Sequence, residues 1–168
     1  MNRHASVVVA AVLLIGLGSG CARQHEVSPS SMGDGQYDAS ALPSAVARPD
    51  LSQYVPTSNL NDIRFEFDKY EIRPDAAKTL DANAQWLKGN TKAQVLIEGH
   101  ADERGTSEYN VALGERRAKA TMNYLVSHGI DARRIAVVSY GEDKPQCHEQ
   151  TQACWAKNRR AHFLFKPE

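Results

Sequence analysis

Alternating hydrophobic and polar residues mark the first of several predicted strands. Ile63, Phe65 and Phe67 recur at every second position, so they fall on one side of an extended chain and are predicted to face the core. Three further segments are short runs of apolar residues, which are typical of buried strands. The predicted strands span residues 61–67, 95–99, 135–139 and 161–165.

A helical repeat of apolar residues separates the first two strands. Pro74 suits the first turn of a helix, and Gly89 suits its end. The apolar residues between them share one face, which is predicted to pack on the sheet: Ala77, Leu80, Ala84 and Leu87. A shorter helical or turn segment is expected at residues 151–157.

The second predicted helix, at residues 107–128, carries an arginine on its inward side. Thr106 or Ser107 can cap its N-terminus through a hydroxyl. Two apolar stripes are expected to face the core, with Tyr109, Leu113, Ala120 and Tyr124 in one and Val111, Ala118, Met122 and Leu125 in the other. Arg117 lies between the stripes.

A buried guanidinium needs partners, because burying an unpaired charge is costly. Arg117 could extend its head to solvent, pair with Asp102 at the end of the preceding strand, or bind the carboxylate of a ligand. The spacing of the residues leaves these alternatives open.

The order βαβαβ with a final strand predicts an α/β sandwich of the α+β class, with the helices packed on one mixed sheet. Residues 59–168 suffice for one domain with a modest core. Residues 21–58 are rich in serine, proline, glycine and alanine, which predicts a flexible linker. Residues 1–20 combine Arg3, an apolar stretch and small residues, the layout of a secretory signal peptide that is removed.

Motifs and charge argue against catalysis and against nucleic-acid binding. Four titratable residues near the second strand invite an acid/base interpretation: Glu98, His100, Asp102 and Glu103. No serine nucleophile motif, glycine-rich phosphate loop or paired metal-ligand motif accompanies them, so we predict neither an enzyme nor a cofactor. Because the formal net charge is +0, the basic residues within 157–160 are predicted to be structural.

Cys147 and Cys154 are predicted to form a disulfide, because an exported chain meets an oxidising compartment. His148 lies next to Cys147, but two cysteines and one histidine are an incomplete ligand set for structural zinc. We therefore predict no metal site.

Four segments carry a specific order of residues: FEFDKYEI at 65–72, EGHADERGTSEYNVALGERRA at 98–118, VSYGEDKP at 138–145 and AKNRRAHF at 156–163. Together they resemble the OmpA-like peptidoglycan-binding domains, and within them the peptidoglycan-associated lipoprotein family. The resemblance covers residues 59–166 and implies an OmpA-like fold. It also implies noncovalent binding of peptidoglycan through the meso-diaminopimelate of its peptide stem.

The resemblance assigns roles to residues of this chain. Asp102 matches the acidic residue that meets the diaminopimelate ammonium, and Arg117 matches the arginine that meets its carboxylate. Five other residues are placed around the same pocket: Phe67, Asp68, Thr106, Asn110 and Leu113. Phe67 and Leu113 also fit the core periodicity, and Thr106 also fits a helix cap.

The residues before Cys21 resemble the lipobox of bacterial lipoproteins, although Gly18 stands where leucine is usual. This implies acylation of Cys21, with palmitate among the chains, and Ala22 is compatible with export to the outer membrane, facing the periplasm. The family also binds TolB of the Tol system, which acts in cell division and envelope integrity. The alternative is an OmpA-like lipoprotein that anchors the wall structurally and has no Tol partner.

Overall fold

The computed structural model describes residues 50–167. Its strands are β1 (Val55–Pro56), β2 (Ile63–Arg64), β3 (Gln94–His100), β4 (Ile135–Gly141) and β5 (Arg160–Lys166). Its α-helices are α1 (Pro74–Gly89), α2 (Ser107–Ser127) and α3 (Gln152–Asn158), with 3-10 turns at Leu51–Gln53 and Ala132–Arg134. The predicted signal peptide, Cys21 and the linker up to residue 49 lie outside the described residues. Within residues 50–167, no helix has the length and apolar character needed to cross a bilayer.

The strands form one mixed sheet in the order β1-β5-β3-β4, and β2 also pairs with β5. β3 lies parallel to β4 and antiparallel to β5, so Ile97 is flanked by Val137 on one side and Phe163 on the other. Since β2 and β3 both run antiparallel to β5, α1 connects two strands that point the same way. The same holds for α2, because β3 runs parallel to β4. This arrangement confirms the predicted α+β sandwich.

The core lies between the helices and one face of the sheet. Phe65, Leu80, Leu87, Val95 and Phe163 are among the apolar residues at its centre, each at most 1% exposed. The bounds of α1 agree with the prediction. In its first turn, however, the buried alanine is Ala76 rather than the predicted Ala77.

Two glycines set how closely α2 approaches β3. A Cβ placed on Gly99 would lie 1.8 Å from the carbonyl oxygen of Gly114, and one on Gly114 would lie 2.3 Å from Oγ of Ser139. Only glycine fits such a close approach of backbones. Arg117, about one turn after Gly114, is thereby brought beneath the end of β3.

This contact also decides which side of α2 is inward. The buried residues of α2 are Asn110, Leu113, Gly114, Arg117, Ala118, Thr121 and Leu125. Leu113, Ala118 and Leu125 therefore face inward as predicted, but the predictions for Tyr109 and Val111 were wrong, because these side chains are 47% and 39% exposed. The stripe is centred on the glycine that touches the sheet rather than on the largest apolar side chains.

Two predictions about residues 51–67 also require correction. Residues 51–58 were assigned to the linker, but β1 pairs with β5 through Val55 and Phe165, because even a proline-containing segment can pair at the edge of a sheet. Phe67 was predicted to face the core, yet it is 54% exposed. The chain leaves the strand after Arg64 and turns through Asp68, whose φ is 57°, so the alternation stops at Phe65.

Candidate functional site

A cavity of about 250 Å³ opens where β3 ends and α2 begins. Its wall is formed by the turn after β2, the loop between β3 and α2, the first turns of α2, and the residue before β5. The lining residues are Phe67, Asp68, Asp102, Arg104, Gly105, Tyr109, Asn110, Leu113, Arg117 and Arg159. Oppositely charged side chains thus meet in one small concave space.

Asp102 is the buried acid of the cavity, with 3% of its side chain exposed. Its Oδ1 accepts hydrogen bonds from the backbone N–H of Arg104 at 3.2 Å and from Nε of Arg104 at 3.1 Å. Its Oδ2 accepts from Nη2 of Arg104 at 2.7 Å and from Nη1 of Arg159 at 3.1 Å. Burial would raise the pKa of Asp102, but the hydrogen bonds from the two arginines outweigh burial and lower it. The carboxylate is ionised at neutral pH.

Arg117 is the buried cation of the cavity and has no exposed surface. Its guanidinium donates from Nε to the carbonyl of Lys69 at 2.8 Å, from Nη1 to that of His100 at 2.7 Å, and from Nη2 to that of Glu66 at 3.0 Å. Burial, followed by the nearby charge of Arg159, lowers the pKa of Arg117 to about 10. Arg117 is therefore still charged at neutral pH.

Neither structural alternative considered for Arg117 is present. It does not reach solvent, and it does not pair with Asp102, because Asp102 is held by Arg104 and Arg159 instead. Arg117 binds three backbone carbonyls, of which that of His100 is buried and would be costly to leave unpaired. It thereby fastens the turn that carries Phe67 to the end of β3.

Arg104, which lines the cavity, is stacked between two aromatic side chains. The guanidinium of Arg104 lies 3.9 Å from the ring centroid of Phe67 and 4.3 Å from that of Trp155. Trp155 is fixed in turn by a 3.1 Å hydrogen bond from Nε1 to a carboxylate oxygen of Glu103. Gly105, with a φ of 123°, makes the turn that leaves Arg104 facing back towards Asp102.

The remaining wall combines polar side chains with the apolar side chain of Leu113. Tyr109 donates its hydroxyl hydrogen to the carboxylate of Asp68, and Asn110 donates from Nδ2 to Glu142 at 2.5 Å. Asp68 adopts the left-handed conformation, which is uncommon outside glycine and is tolerated best by Asn and Asp. Leu113, with 6% of its surface exposed, supplies an apolar part of the lining.

Comparisons with known proteins place this chain in a family. Residues 64–159 match the model of the OmpA family. The peptidoglycan-associated lipoprotein of Rhizobium meliloti (strain 1021) is 44% identical over 92% of this chain and 84% of that protein. The chain belongs to the OmpA family, among its peptidoglycan-associated lipoproteins.

Two further relatives agree with this assignment. The peptidoglycan-associated lipoprotein of Haemophilus influenzae is 50% identical over 62% of this chain and 69% of that protein. The crystal structure of the peptidoglycan-associated lipoprotein from Burkholderia pseudomallei is 39% identical, covers 62% of this chain and 88% of its own, and superposes with a TM-score of 0.60. The fold is thus OmpA-like, and membership in this lipoprotein family agrees with the prediction that the chain is not an enzyme.

In this member of the lipoprotein family, six of the seven residues assigned by resemblance line one cavity. They are Phe67, Asp68, Asp102, Asn110, Leu113 and Arg117. Thr106 does not line it. Its hydroxyl oxygen accepts the N–H of Tyr109 at 3.2 Å and caps α2, as expected of a residue that begins a helix.

Four lining residues were not assigned to the pocket from the sequence: Arg104, Gly105, Tyr109 and Arg159. Tyr109 was predicted to face the core, and Arg159 was predicted to be structural, supporting the ligand site or the domain surface without a specific contact. Arg104 was missed, although its position two residues after Asp102 is a usable signal, because Asp131 and Arg133 form a pair at the same spacing.

The disulfide lies beside the cavity rather than in it. Cys147 and Cys154 are joined, with their Cα atoms 5.2 Å apart. Asn158, at the end of α3, accepts from the backbone N–H of Cys147 at 3.0 Å and donates to its carbonyl at 2.7 Å. These contacts hold α3, which carries Trp155 and is followed directly by Arg159.

Proposed function

We propose that the chain binds peptidoglycan noncovalently, through the meso-diaminopimelate side chain of the peptide stem. That side chain carries an ammonium and a carboxylate on one carbon, so its site needs an anion and a cation a few ångströms apart. A partly desolvated pocket strengthens both contacts relative to water. Asp102 is proposed to bind the ammonium and Arg117 the carboxylate.

One observation carries this proposal. Arg117 is a fully buried cation that lines a cavity, and within residues 50–167 it forms no ion pair with a carboxylate. A guanidinium has five N–H donors, and backbone carbonyls take three of those of Arg117. The donors left over suit a carboxylate from outside the chain, and the family relationship supports a cell-wall ligand.

The sequence outside the described residues supplies the proposed attachment to the membrane. Acyl chains on Cys21 would insert into the outer membrane, each buried methylene contributing about 0.8 kcal/mol. The linker would then let the domain reach the wall from the periplasmic side. In the cell, Cys21→Ser should move the protein from the membrane fraction to the soluble periplasmic fraction, and retention in the membrane would contradict this anchor.

The binding experiment uses the mature chain with Cys21→Ser, titrated by calorimetry with a tripeptide containing meso-diaminopimelate. The same peptide with lysine in its place lacks the carboxylate and should bind much more weakly. Asp102→Asn and Arg117→Lys should each abolish detectable binding, while Arg133→Ala, an exposed arginine outside the cavity, should bind as the unsubstituted chain does. Circular dichroism identifies any variant that has not folded. Binding retained by both folded cavity variants would refute the assignment.

We also propose TolB and other Tol proteins as partners, which would connect the anchor to outer-membrane constriction during division. The support is the relationship to peptidoglycan-associated lipoproteins. TolB should bind the mature chain, and the diaminopimelate tripeptide should displace it if the surfaces overlap. Failure of TolB to bind would favour the alternative, a wall anchor without a Tol partner.

A further inference from the structure

We infer that the side chain of Arg104 is a displaceable internal occupant of Asp102, and that a ligand ammonium binds by taking its place. The inference rests on the proposed function, because it describes how the same site admits its ligand. It assigns to Arg104 a role in specificity that is separate from direct contact with the ligand.

The first argument is the number of hydrogen bonds that Asp102 already accepts. An ionised carboxylate offers about four acceptor positions. Arg104 and Arg159 fill two on each oxygen of Asp102. An ammonium therefore cannot hydrogen-bond to Asp102 until one of these donors leaves.

The second argument identifies the donor that can leave. Arg159 has 9% of its side chain exposed, and its Nε also donates to the carbonyl of Phe65 at 3.0 Å. Arg104 has 28% of its side chain exposed, and among residues 50–167 its guanidinium hydrogen-bonds only to Asp102 and stacks on two aromatic rings. Rotation of the Arg104 side chain would free one acceptor position on each oxygen, while its backbone N–H stays bound.

The third argument is the charge of the cavity lining. With Arg104 in place, Asp68 and Asp102 face three arginines, Arg104, Arg117 and Arg159. Without the Arg104 guanidinium, two acids face two arginines, a balance that suits a zwitterion. A ligand with only an ammonium leaves Arg117 without a carboxylate, and a ligand with only a carboxylate does not replace the cation on Asp102. Displacement thus favours ligands that carry both charges.

The chain contains a matched control for this pair. Arg133 binds Asp131 at the same spacing, from its backbone N–H at 2.9 Å, from Nε to Oδ1 at 3.1 Å and from Nη2 to Oδ2 at 2.6 Å. Its side chain is 89% exposed, and the pair lines neither described pocket. Removing Arg133 changes the same kind of contact without changing the cavity.

The test compares the affinity of the diaminopimelate tripeptide for the mature chain, Arg104→Ala and Arg133→Ala. Arg104→Ala should bind about threefold to tenfold more tightly, because an ion pair and a stacking contact no longer have to be broken. Arg104→Lys, which keeps the charge but not the fork of donors, should show a smaller gain, and Arg133→Ala should show none. Thermal melting establishes that each variant is folded.

A spectroscopic readout follows the displacement itself. The chain has two tryptophans, so Trp86→Phe leaves Trp155, which stacks on Arg104, as the only one. The tripeptide should change Trp155 emission in this background. Adding Arg104→Ala should produce a changed emission without ligand and little further response to it.

The outcomes separate the two proposals. Weaker or unchanged binding by folded Arg104→Ala, with the unsubstituted chain binding normally, would overturn displacement and leave the proposed function intact. Weaker binding would further indicate that Arg104 contacts the ligand. Absence of binding by the unsubstituted chain would refute the proposed function, and displacement with it.

Discussion

The cavity and the turn at residues 131–134 use the same local devices in different surroundings. Each has an aspartate paired with the arginine two residues later, Asp102 with Arg104 and Asp131 with Arg133. Each also has an arginine that donates to three backbone carbonyls. At the turn this is Arg134, which binds the carbonyls of Leu87, Asn90 and Ala93 around the end of α1.

The two regions differ in burial and in what surrounds the charges. The side chain of Asp131 is 42% exposed and that of Asp102 is 3% exposed. Only the pair at the cavity is joined by a second arginine and stacked between aromatic rings. The comparison teaches that a local ion pair becomes a candidate site only where the fold removes water from it and leaves space beside it.

The largest expected loss of stability is at one of the two arginines that bind carbonyls. Arg117→Ala should lower the free energy of unfolding by about 4 kcal/mol, because the guanidinium is fully buried and one buried and two part-buried carbonyls lose a charged donor. Arg134→Ala should cost only about 1 to 2 kcal/mol, since water can reach the carbonyls at the end of a helix. Urea unfolding measures both. Equal losses would mean that burial does not distinguish the two regions.

The next largest expected loss of stability is at one of the two aspartates. Asp102→Ala should lower the free energy of unfolding by about 3 kcal/mol, because it leaves buried Arg159 without its counter-ion. Asp131→Ala should cost less, because the pair is exposed and Arg133 is solvated without it. The same urea titrations apply. A negligible effect of Asp102→Ala would show that the cavity tolerates its arginines unpaired.

Removing the disulfide tests whether α3 needs it in order to hold Trp155 and Arg159 at the cavity. Replacing both Cys147 and Cys154 by serine should lower the free energy of unfolding by about 2.5 kcal/mol. This is the free-energy contribution of the chain entropy that so short a closed loop removes from the unfolded state. Affinity for the tripeptide should also fall, because α3 positions Trp155 and Arg159. The spectrum of Trp86 should not change, since that residue packs on Phe165. Full affinity in the double variant would contradict this role of the disulfide.

The smallest expected effect is the contribution of the two aspartates to the pH dependence of the free energy of unfolding. The pKa of both aspartates is lowered, that of Asp131 to about 2 through its hydrogen bonds with Arg133. A carboxyl with a lowered folded-state pKa stabilises the fold above its unfolded value of 3.8, and this contribution is lost as the pH falls further through the folded value.

Salt distinguishes the two carboxylates in this acid range. Exposed pairs are screened by about 0.5 M salt, whereas buried pairs are screened much less. Between pH 4 and pH 2, the loss of stability attributable to Asp102 should therefore persist in salt, and that attributable to Asp131 should be reduced. The free energies of unfolding of Asp102→Asn and Asp131→Asn, measured across this pH range at low and high salt, give the contribution of each aspartate. Equal sensitivity to salt would contradict the difference in burial.

Much of the fold was predictable because its signals are local. Pro74 and Gly89 bound α1, the aliphatic run at residues 95–97 lies within β3, and Thr106 caps α2. Predictions failed where a local pattern met a tertiary constraint. The periodicity placed Tyr109 inward, but the contact between Gly99 and Gly114 rotates α2 so that Arg117 is central instead.

The candidate site divides in the same way. The sequence by itself determined that an acid follows β3 and that an arginine projects from the inward side of α2, because both follow from the period of a regular element. Only the tertiary structure decided their partners. Arg159 reaches Asp102 across 57 positions of sequence, Arg117 finds carbonyls 17 to 51 positions away, and Trp155 stacks on Arg104 from α3. Such partners depend on how elements pack, which the spacing of residues within one element does not encode.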